Sequence, residues 1–141
     1  GKSAKYILDK IGITVGDDVK VILMEAKEDH PFVQVELMMP ILPLVRVPDV
    51  DQAIEMAVRV EHGNRHTAMM HSRNVEKLTK MAKLIQTTIF VKNGPSYAGI
   101  GVGGEGYTTF TIAGPTGEGL TSAKSFARRR RCVLVGGMDV R

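Results

Sequence analysis

The chain contains no tryptophan, one cysteine and few aromatic residues, and each shortage narrows what it can do. Aromatic residues fill 5% of its 141 positions, which argues against a stacking platform for single-stranded nucleic acid. The single cysteine, Cys132, rules out an internal disulfide and fits a reducing compartment. No apolar run is long enough to cross a bilayer and no leader precedes the first predicted helix, so we expect a cytoplasmic protein without a membrane partner.

Charge is concentrated near one end of the sequence. Hydrophobic residues at 43% and charged residues at 24% are ordinary for one folded domain or a piece of one. Of the 19 basic residues, Lys124 and Arg128 to Arg131 supply five, which leaves 14 basic against 15 acidic residues elsewhere. We therefore expect no nucleic-acid partner. Along a strand, side chains alternate between faces, so two of the four arginines would point each way and form no single basic patch. We therefore interpret the arginine run as a solvated edge or as salt bridges to a neighbouring subunit.

Strands and helices alternate along the first 91 residues. Capping patterns at Ser3, at Asp49 with Gln52, and at Ser72 or Asn74 predict three helices. His30–Pro31 is predicted to break any helix, because proline restricts the residue before it. β-Branched and apolar runs predict strands at residues 19–23, 42–47, 66–71 and 87–91.

The order β-α-β-α-β over residues 42–91 indicates parallel strands joined by right-handed crossovers. A parallel sheet needs cover on both faces. The two crossover helices cover one face, so the other is left to the first helix or to polypeptide outside this sequence. A helical turn at 120–127 and a terminal strand at 130–135 complete the predicted elements.

Nine of the 15 glycines lie between Gly94 and Gly119. Residues 101–106 satisfy the G-x-G-x-x-G spacing, but the β-like run 107–112 follows where a dinucleotide site needs a helix. We interpret this loop instead as backbone that needs positive φ or close approach. Residues 114–121 resemble a phosphate loop, yet Leu120 replaces the lysine that grips the phosphates, which disfavours an NTPase.

Other chemistry-bearing residues give weaker signals. His62, His66 and His71 are close in sequence, but no cysteine or acidic residue completes a ligand set, so we expect no metal. Cys132 is interpreted as a structural thiol in an apolar strand, because no helix start or partner base accompanies it. Glu36 stands alone in an apolar segment, either partly exposed or as an acceptor for ligand hydroxyls.

Three long motifs resemble a known family. They occupy residues 62–72, 91–99 and 103–119, and they read HGNRHTAMMHS, VKNGPSYAG and GGEGYTTFTIAGPTGEG. All three are similar to the CoA-acylating aldehyde dehydrogenases, above all the propionaldehyde and acetaldehyde dehydrogenases of bacterial microcompartments. The likeness extends in order over nearly all 141 residues.

This resemblance implies an α/β fold: the distal half of an aldehyde-dehydrogenase-like catalytic domain, mostly a parallel sheet with crossover helices. Residues 1–128 would belong to that domain, and residues 129–141 would form the family's terminal oligomerisation strand. The implied reaction oxidises a short aldehyde to acyl-CoA with NAD in a homo-oligomer, and the resemblance to microcompartment enzymes implies a location inside such a compartment. The family's nucleophilic cysteine and cofactor domain precede the matching region, so the chain alone is expected to be inactive.

The resemblance also assigns candidate site residues. Glu36 and Pro40 match the Glu-x-Phe-Gly-Pro motif of the wider superfamily, whose glutamate binds the nicotinamide ribose, whereas Met38 and Met39 depart from it. Ser96 and Tyr97 fall in the loop near the acyl pocket. Cys132 matches the terminal strand and inherits no catalytic role.

Two alternatives belong to other classes. A non-catalytic interaction or scaffolding module that reuses the half-fold would have polar surfaces on both sides of its sheet. A nucleic-acid binder would use the arginine run and show salt-dependent retention on DNA. A segment of a larger enzyme should instead leave a large apolar surface exposed.

Overall fold

A computed structural model of the chain describes residues 1–104, 122–133 and 135–136. Short strands alternate with helices from the start of the chain to residue 92. The elements in order are α1 (Ala4–Asp9), β1 (Ile22–Glu25), α2 (Pro31–Gln34), β2 (Ile41–Leu44), α3 (Val50–Val60), β3 (Thr67–Met70), α4 (Val75–Ile85) and β4 (Ile89–Lys92). Two short 3₁₀ helices follow, at Ser96–Ile100 and Ala123–Phe126.

The described strands form two parallel pairs rather than one sheet. β1 pairs with β2, with Leu23 opposite Leu42, and β3 pairs with β4, with Ala68 opposite Phe90. The predicted parallel direction is confirmed. The expectation that β2, β3 and β4 share one sheet is wrong within the described residues, where β2 pairs with β1 and no strand ladder joins it to β3 or β4.

Local sequence signals set the helix boundaries. The Ser3 hydroxyl accepts a hydrogen bond from the backbone N–H of Tyr6 at 3.2 Å, as its capping position predicts. Asp49 accepts from the N–H of Gln52 at 2.9 Å, and Asn74 accepts from the N–H of Lys77 at 3.0 Å. Each cap satisfies a backbone donor that the first turn leaves without a partner.

The helix break predicted at His30–Pro31 is confirmed, because His30 has an extended backbone and lies outside the helix that follows it. A one-turn helix begins at Pro31, and the His30 ring nitrogen Nδ1 accepts a hydrogen bond from the backbone N–H of Phe32 at 3.0 Å. Proline is tolerated here because the first turn of a helix has no use for its missing N–H. The restriction that proline imposes falls on His30, which stays extended outside the helix.

Helices α3 and α4 build the principal core against β3 and β4. Ile54 of α3 is 2% exposed and packs with Met81 and Ile85 of α4. Asp51 at the start of α3 accepts hydrogen bonds from the ammonium groups of Lys77 and Lys80 at 2.7–2.8 Å, which joins the two helices at their exposed side. Partly buried apolar residues surround this core: Ala57, Val58, Ala68, Met70 and Phe90.

The β1–β2 pair has one mostly apolar face that the described residues leave open. Leu23, Leu42 and Leu44 are 59%, 51% and 45% exposed on this face, and the exposed Glu25, opposite Leu44, lies on it with them. Parallel sheets are ordinarily buried on both faces. We call these three leucines the open sheet face.

The last described residues carry no strand. Residues 128–133 and 135–136 lie outside the helices and strands, while the predicted helical turn appears as the 3₁₀ helix Ala123–Phe126. The predicted strand at 130–135 is therefore absent from its described positions, and residue 134 lies outside the description. A terminal strand needs a partner strand, so oligomerisation through residues 129–141 stays a prediction.

Three earlier interpretations fall on positions that the structure does not describe. These are the β-like run 107–112, the loop 114–121 and the last two residues of the 101–106 glycine pattern. Among the helices of the described ranges, none has the length and apolar character needed to span a membrane.

Candidate functional site

The carboxyl ends of β3 and β4 lie next to each other and are followed by two connected loop segments. In parallel α/β sheets, ligands bind outside the carboxyl ends of the strands. Two segments leave this edge, residues 71–74 after β3 and residues 93–104 after β4. Ser96 and Tyr97, the two residues assigned to the acyl pocket by resemblance, begin the 3₁₀ helix in the second segment.

A paired hydrogen bond joins the two segments. The Asn93 side chain accepts from the backbone N–H of Ser72 at 2.7 Å through Oδ1 and donates to the Ser72 carbonyl at 2.9 Å through Nδ2. The Asn93 backbone N–H also donates to the carbonyl of Met70 at 2.9 Å. We call the two side-chain bonds the Asn93–Ser72 bridge. It fixes the ends of β3 and β4 to each other beyond the last ladder bond.

Glycines allow the 3₁₀ helix to lie against β4. A Cβ atom on Gly99 would stand 2.3 Å from Cγ2 of Ile89, and one on Gly104 would stand 2.6 Å from the Ala98 carbonyl oxygen. Gly101 and Gly103 have φ of +93° and +68°. The interpretation that these glycines serve close approach and positive φ is therefore confirmed for residues 99–104.

The two candidate pocket residues differ in exposure. Tyr97 is 60% exposed, whereas Ser96 is half-buried. The backbone N–H of Val102 donates to the Tyr97 carbonyl at 3.0 Å and closes the turn. A molecule at this edge would therefore contact the Tyr97 side chain. The backbone that carries Tyr97 is held by the Asn93–Ser72 bridge on one side and by the Val102 hydrogen bond on the other.

Glu36 lies elsewhere. It is exposed on the segment between α2 and β2, before β2 begins, whereas Ser96 and Tyr97 follow the end of β4. No hydrogen bond or ion pair in the described residues joins Glu36 to either of them. Met38, two residues on, is 81% exposed. The structure thus brings Ser96 and Tyr97 together and places Glu36 on the other strand pair.

Metal and thiol chemistry find little support. The described residues contain no group of three or more histidine, cysteine, aspartate or glutamate side chains that could hold a metal. His66 Nδ1 lies 2.7 Å from Oγ1 of Thr67. Cys132 is exposed and lies outside the described strands, so its predicted placement in an apolar strand is wrong, while its interpretation as a thiol without a catalytic role stays a prediction.

The clearest pKa shifts belong to ion pairs on the helices. Hydrogen bonds from Lys77 and Lys80 lower the pKa of Asp51 from 3.8 to about 2. A hydrogen bond from Arg59 lowers the pKa of Glu28. General acids and bases work best with a pKa near the operating pH. These carboxyl pKa values move away from neutrality, so the pairs hold elements together and mark no catalytic group.

Sequence reasoning missed Asn93 as an individual residue. It stood inside the motif VKNGPSYAG without a role of its own. The signal was local: asparagine directly after a strand and before Gly94–Pro95 favours the left-handed conformation, and Asn93 has φ of +58°. What no local pattern reveals is the partner, Ser72, which lies 21 positions earlier.

Comparison with known proteins identifies the family. A profile of the aldehyde dehydrogenase family matches residues 20–118. The chain is 56% identical to a CoA-propanoylating propanal dehydrogenase of Citrobacter freundii, over all of this chain and 31% of that protein.

Two solved structures share the fold. One is a Rhodopseudomonas palustris propionaldehyde dehydrogenase with bound CoA and an acylated cysteine (75% identity, TM-score 0.86), covering 95% of this chain and 30% of the other. The second, from the fucose utilisation microcompartment of Clostridium phytofermentans, is a propionaldehyde dehydrogenase with 53% identity and a TM-score of 0.83, covering 95% and 31%. The chain thus spans under a third of the relatives it matches. Identity along its whole length and the shared α/β fold show that the chain belongs to the aldehyde dehydrogenase family.

Proposed function

We propose that this chain is the C-terminal third of a CoA-acylating aldehyde dehydrogenase, which oxidises a short aldehyde to acyl-CoA with NAD. This proposal rests on one observation: the chain is 75% identical, and similar in fold, to a propionaldehyde dehydrogenase whose structure contains bound CoA and an acylated cysteine. Because the chain covers 30% of that enzyme, we propose that the remaining machinery lies in another part of a longer polypeptide.

The open sheet face supports a segment over a free-standing module. Three of the four outward side chains on this strand pair are exposed leucines, Leu23, Leu42 and Leu44, where a self-contained scaffolding module would have mainly polar residues. Contiguous exposed apolar surface marks a contact with another polypeptide. In the proposed enzyme, this face packs against the part of the protein that is not in this chain.

Glu36 is proposed to hold the nicotinamide ribose. Its carboxylate is exposed and offers two oxygens that can accept hydrogen bonds from a pair of adjacent hydroxyls, so its chemistry and accessibility fit the group. When bound, the nicotinamide supplies the hydride acceptor of the reaction. Met38 and Met39 in place of Phe and Gly are proposed to weaken this contact, which would let the reduced cofactor leave before CoA enters.

Ser96 and Tyr97 are proposed to line the acyl pocket. They stand at the strand edge where α/β folds place their ligands, and Tyr97 is accessible. The nucleophilic thiolate is proposed to come from outside this chain, because Cys132 has no helix start beside it among the described residues and falls where the resemblance places the terminal strand.

Assembly and location are proposed on the same basis. Residues 129–141 would pair with a neighbouring subunit as a terminal strand, which makes the enzyme a homo-oligomer. A relative from a microcompartment supports the proposal that the complete enzyme works inside one.

A hybrid enzyme tests the central proposal. In it, these 141 residues replace the matching segment of the Rhodopseudomonas palustris enzyme, where 75% identity favours correct folding. We expect CoA-dependent reduction of NAD with short aldehydes from the hybrid and none from the isolated chain. The proposal fails if a soluble, correctly assembled hybrid shows no such activity, or if the isolated chain is active.

Glu36→Ala in the hybrid tests the ribose contact. Hydrogen bonds to a charged group are worth about 1.5–3 kcal/mol, so we expect the KM for NAD to rise roughly tenfold or more, with a smaller rise for Glu36→Gln. Glu55→Ala, which removes an exposed glutamate from α3, is the matched control and should leave KM unchanged. An unchanged KM for NAD in Glu36→Ala would remove Glu36 from the proposed site.

A further inference from the structure

Asn93 combines an uncommon backbone conformation with two side-chain bonds. Its φ is +58°, and its amide bonds to both the N–H and the carbonyl of Ser72. Non-glycine residues with positive φ are uncommon, although asparagine tolerates this region better than most. The conformation alone would be served at least as well by glycine, so it does not explain why an asparagine stands here.

Comparison with the other left-handed residues separates the two features. Four non-glycine residues have positive φ in the described ranges: His62, Arg65, Gln86 and Asn93. Gln86 caps the end of α4, and its side chain makes no hydrogen bond to the described residues. Of the four, Asn93 has the side chain that bonds the backbone of a second loop, within the part of the chain that is described.

The bridge holds one end of the segment that carries the candidate pocket residues. Gly94 and Pro95 lead directly from Asn93 to Ser96 and Tyr97. The other end is held where Gly99 lies against Ile89 with no room for a Cβ. Ser96 and Tyr97 therefore stand between two fixed points, and the Asn93–Ser72 bridge is the one made by side-chain hydrogen bonds.

We propose that Asn93 is a positioning residue that sets acyl-chain selectivity by holding Ser96 and Tyr97 at a fixed distance from the acyl group. This inference rests on the proposed function. One methylene in a well-fitted pocket changes kcat/KM by about 10–200-fold. Such discrimination requires that the residues lining the pocket keep their position when a longer acyl chain is bound. Loss of the Asn93–Ser72 bridge would allow the segment that carries Ser96 and Tyr97 to move at its Asn93 end.

The test uses the hybrid enzyme with Asn93→Gly. Glycine keeps the left-handed conformation and deletes both side-chain bonds, so a purely conformational role predicts no effect. We expect the ratio of kcat/KM between the best aldehyde and the one with one more methylene to fall at least threefold. This ratio does not depend on how much enzyme is folded. Gln86→Gly relieves the same backbone conformation elsewhere and should leave the ratio unchanged.

Each result decides the proposal. An active Asn93→Gly hybrid with an unchanged ratio overturns it and leaves the proposed function intact, while an inactive parental hybrid overturns both. If Asn93→Gly is insoluble, Asn93→Asp gives the same comparison, because it keeps the acceptor for the Ser72 N–H and loses the donor for the Ser72 carbonyl. Insolubility of both variants overturns the positioning role, since Asn93 would then serve folding alone.

Discussion

The two strand pairs of this chain have the same parallel pairing but very different surroundings. Around β3 and β4, α3 and α4 bury Ile54 to 2% exposure. On β1 and β2, Leu42 remains 51% exposed on the open sheet face. Both pairs are built mainly from apolar residues, so composition does not distinguish them. The difference is that the crossover helices covering β3 and β4 lie within this chain, whereas the open face of β1 and β2 has no such cover in the described residues.

The largest expected effect comes from comparing an isoleucine in the core beside β3 and β4 with a leucine on the open sheet face. Ile54→Ala in the 141-residue chain should lower the free energy of unfolding by about 2–5 kcal/mol, because it leaves a cavity between α3 and α4. Leu42→Ala on the open sheet face is the control and should change it within about 0.5 kcal/mol. Urea denaturation measures both, and similar losses would show that the two pairs do not differ as described.

The hybrid enzyme sharpens the same comparison. If the rest of the enzyme covers the open sheet face, Leu42→Ala should become as costly there as removal of a buried leucine, about 2–5 kcal/mol. An unchanged small effect in the hybrid would mean that the face stays exposed in the complete enzyme, and the apolar surface would then need another explanation.

A second test asks whether the packed half also fixes the candidate site. Gly99→Ala places a methyl group 2.3 Å from Cγ2 of Ile89 and should destabilise the chain by about 1–3 kcal/mol. In an Ile89→Ala background the obstructing atom is absent, so the added cost of Gly99→Ala should largely vanish. A double-mutant cycle measured by urea unfolding gives this coupling, and additive effects would contradict the close contact.

The smallest expected effect lies on the exposed side of the packed half. Lys77 and Lys80 hold the pKa of Asp51 at about 2, below its ordinary value of 3.8. A carboxyl pKa that is lowered on folding stabilises the fold above the unfolded value, and this contribution is lost as pH falls through the folded value.

Asp51→Asn should therefore reduce stability modestly at pH 7, and the difference from the unchanged chain should disappear between about pH 4 and pH 2. Asp29→Asn, an exposed aspartate with no ion pair among the described residues, is the control and should show no such pH-dependent gap. Thermal unfolding across this range checks both variants. A gap that persists at pH 2 would rule out the ion pair as its cause.

The sequence predicted the parts of the fold that local chemistry decides. Asp49 and Asn74 cap α3 and α4 because a short polar side chain before an apolar period satisfies free backbone donors. The glycines at 99–104 were correctly interpreted for the same reason. Strand boundaries were shifted, as β1 begins at Ile22 rather than residue 19, because the ends of a strand are set by its partner.

Features that depend on distant partners were not predictable. Nothing around Leu44 in sequence shows that β2 bonds to β1 and leaves β3 to β4. The Asn93–Ser72 bridge joins positions 21 apart, and its existence depends on β3 and β4 lying side by side. For Ser96 and Tyr97, the family resemblance supplied the assignment and the structure supplied the shared strand edge.

The caps of α3 and α4 bear on how this stretch of polypeptide behaves in a new host. Each long helix is capped at its start by one side chain, Asp49 or Asn74, which accepts a hydrogen bond from the backbone N–H three residues later. Caps of this kind are local, because both bonding partners lie within four consecutive residues of the chain. They therefore form without contacts from the surrounding protein. Exchange of this segment among relatives, by recombination or by design, should therefore conserve its helices and strands. Any unfavourable contacts should lie where the segment meets the rest of the host protein.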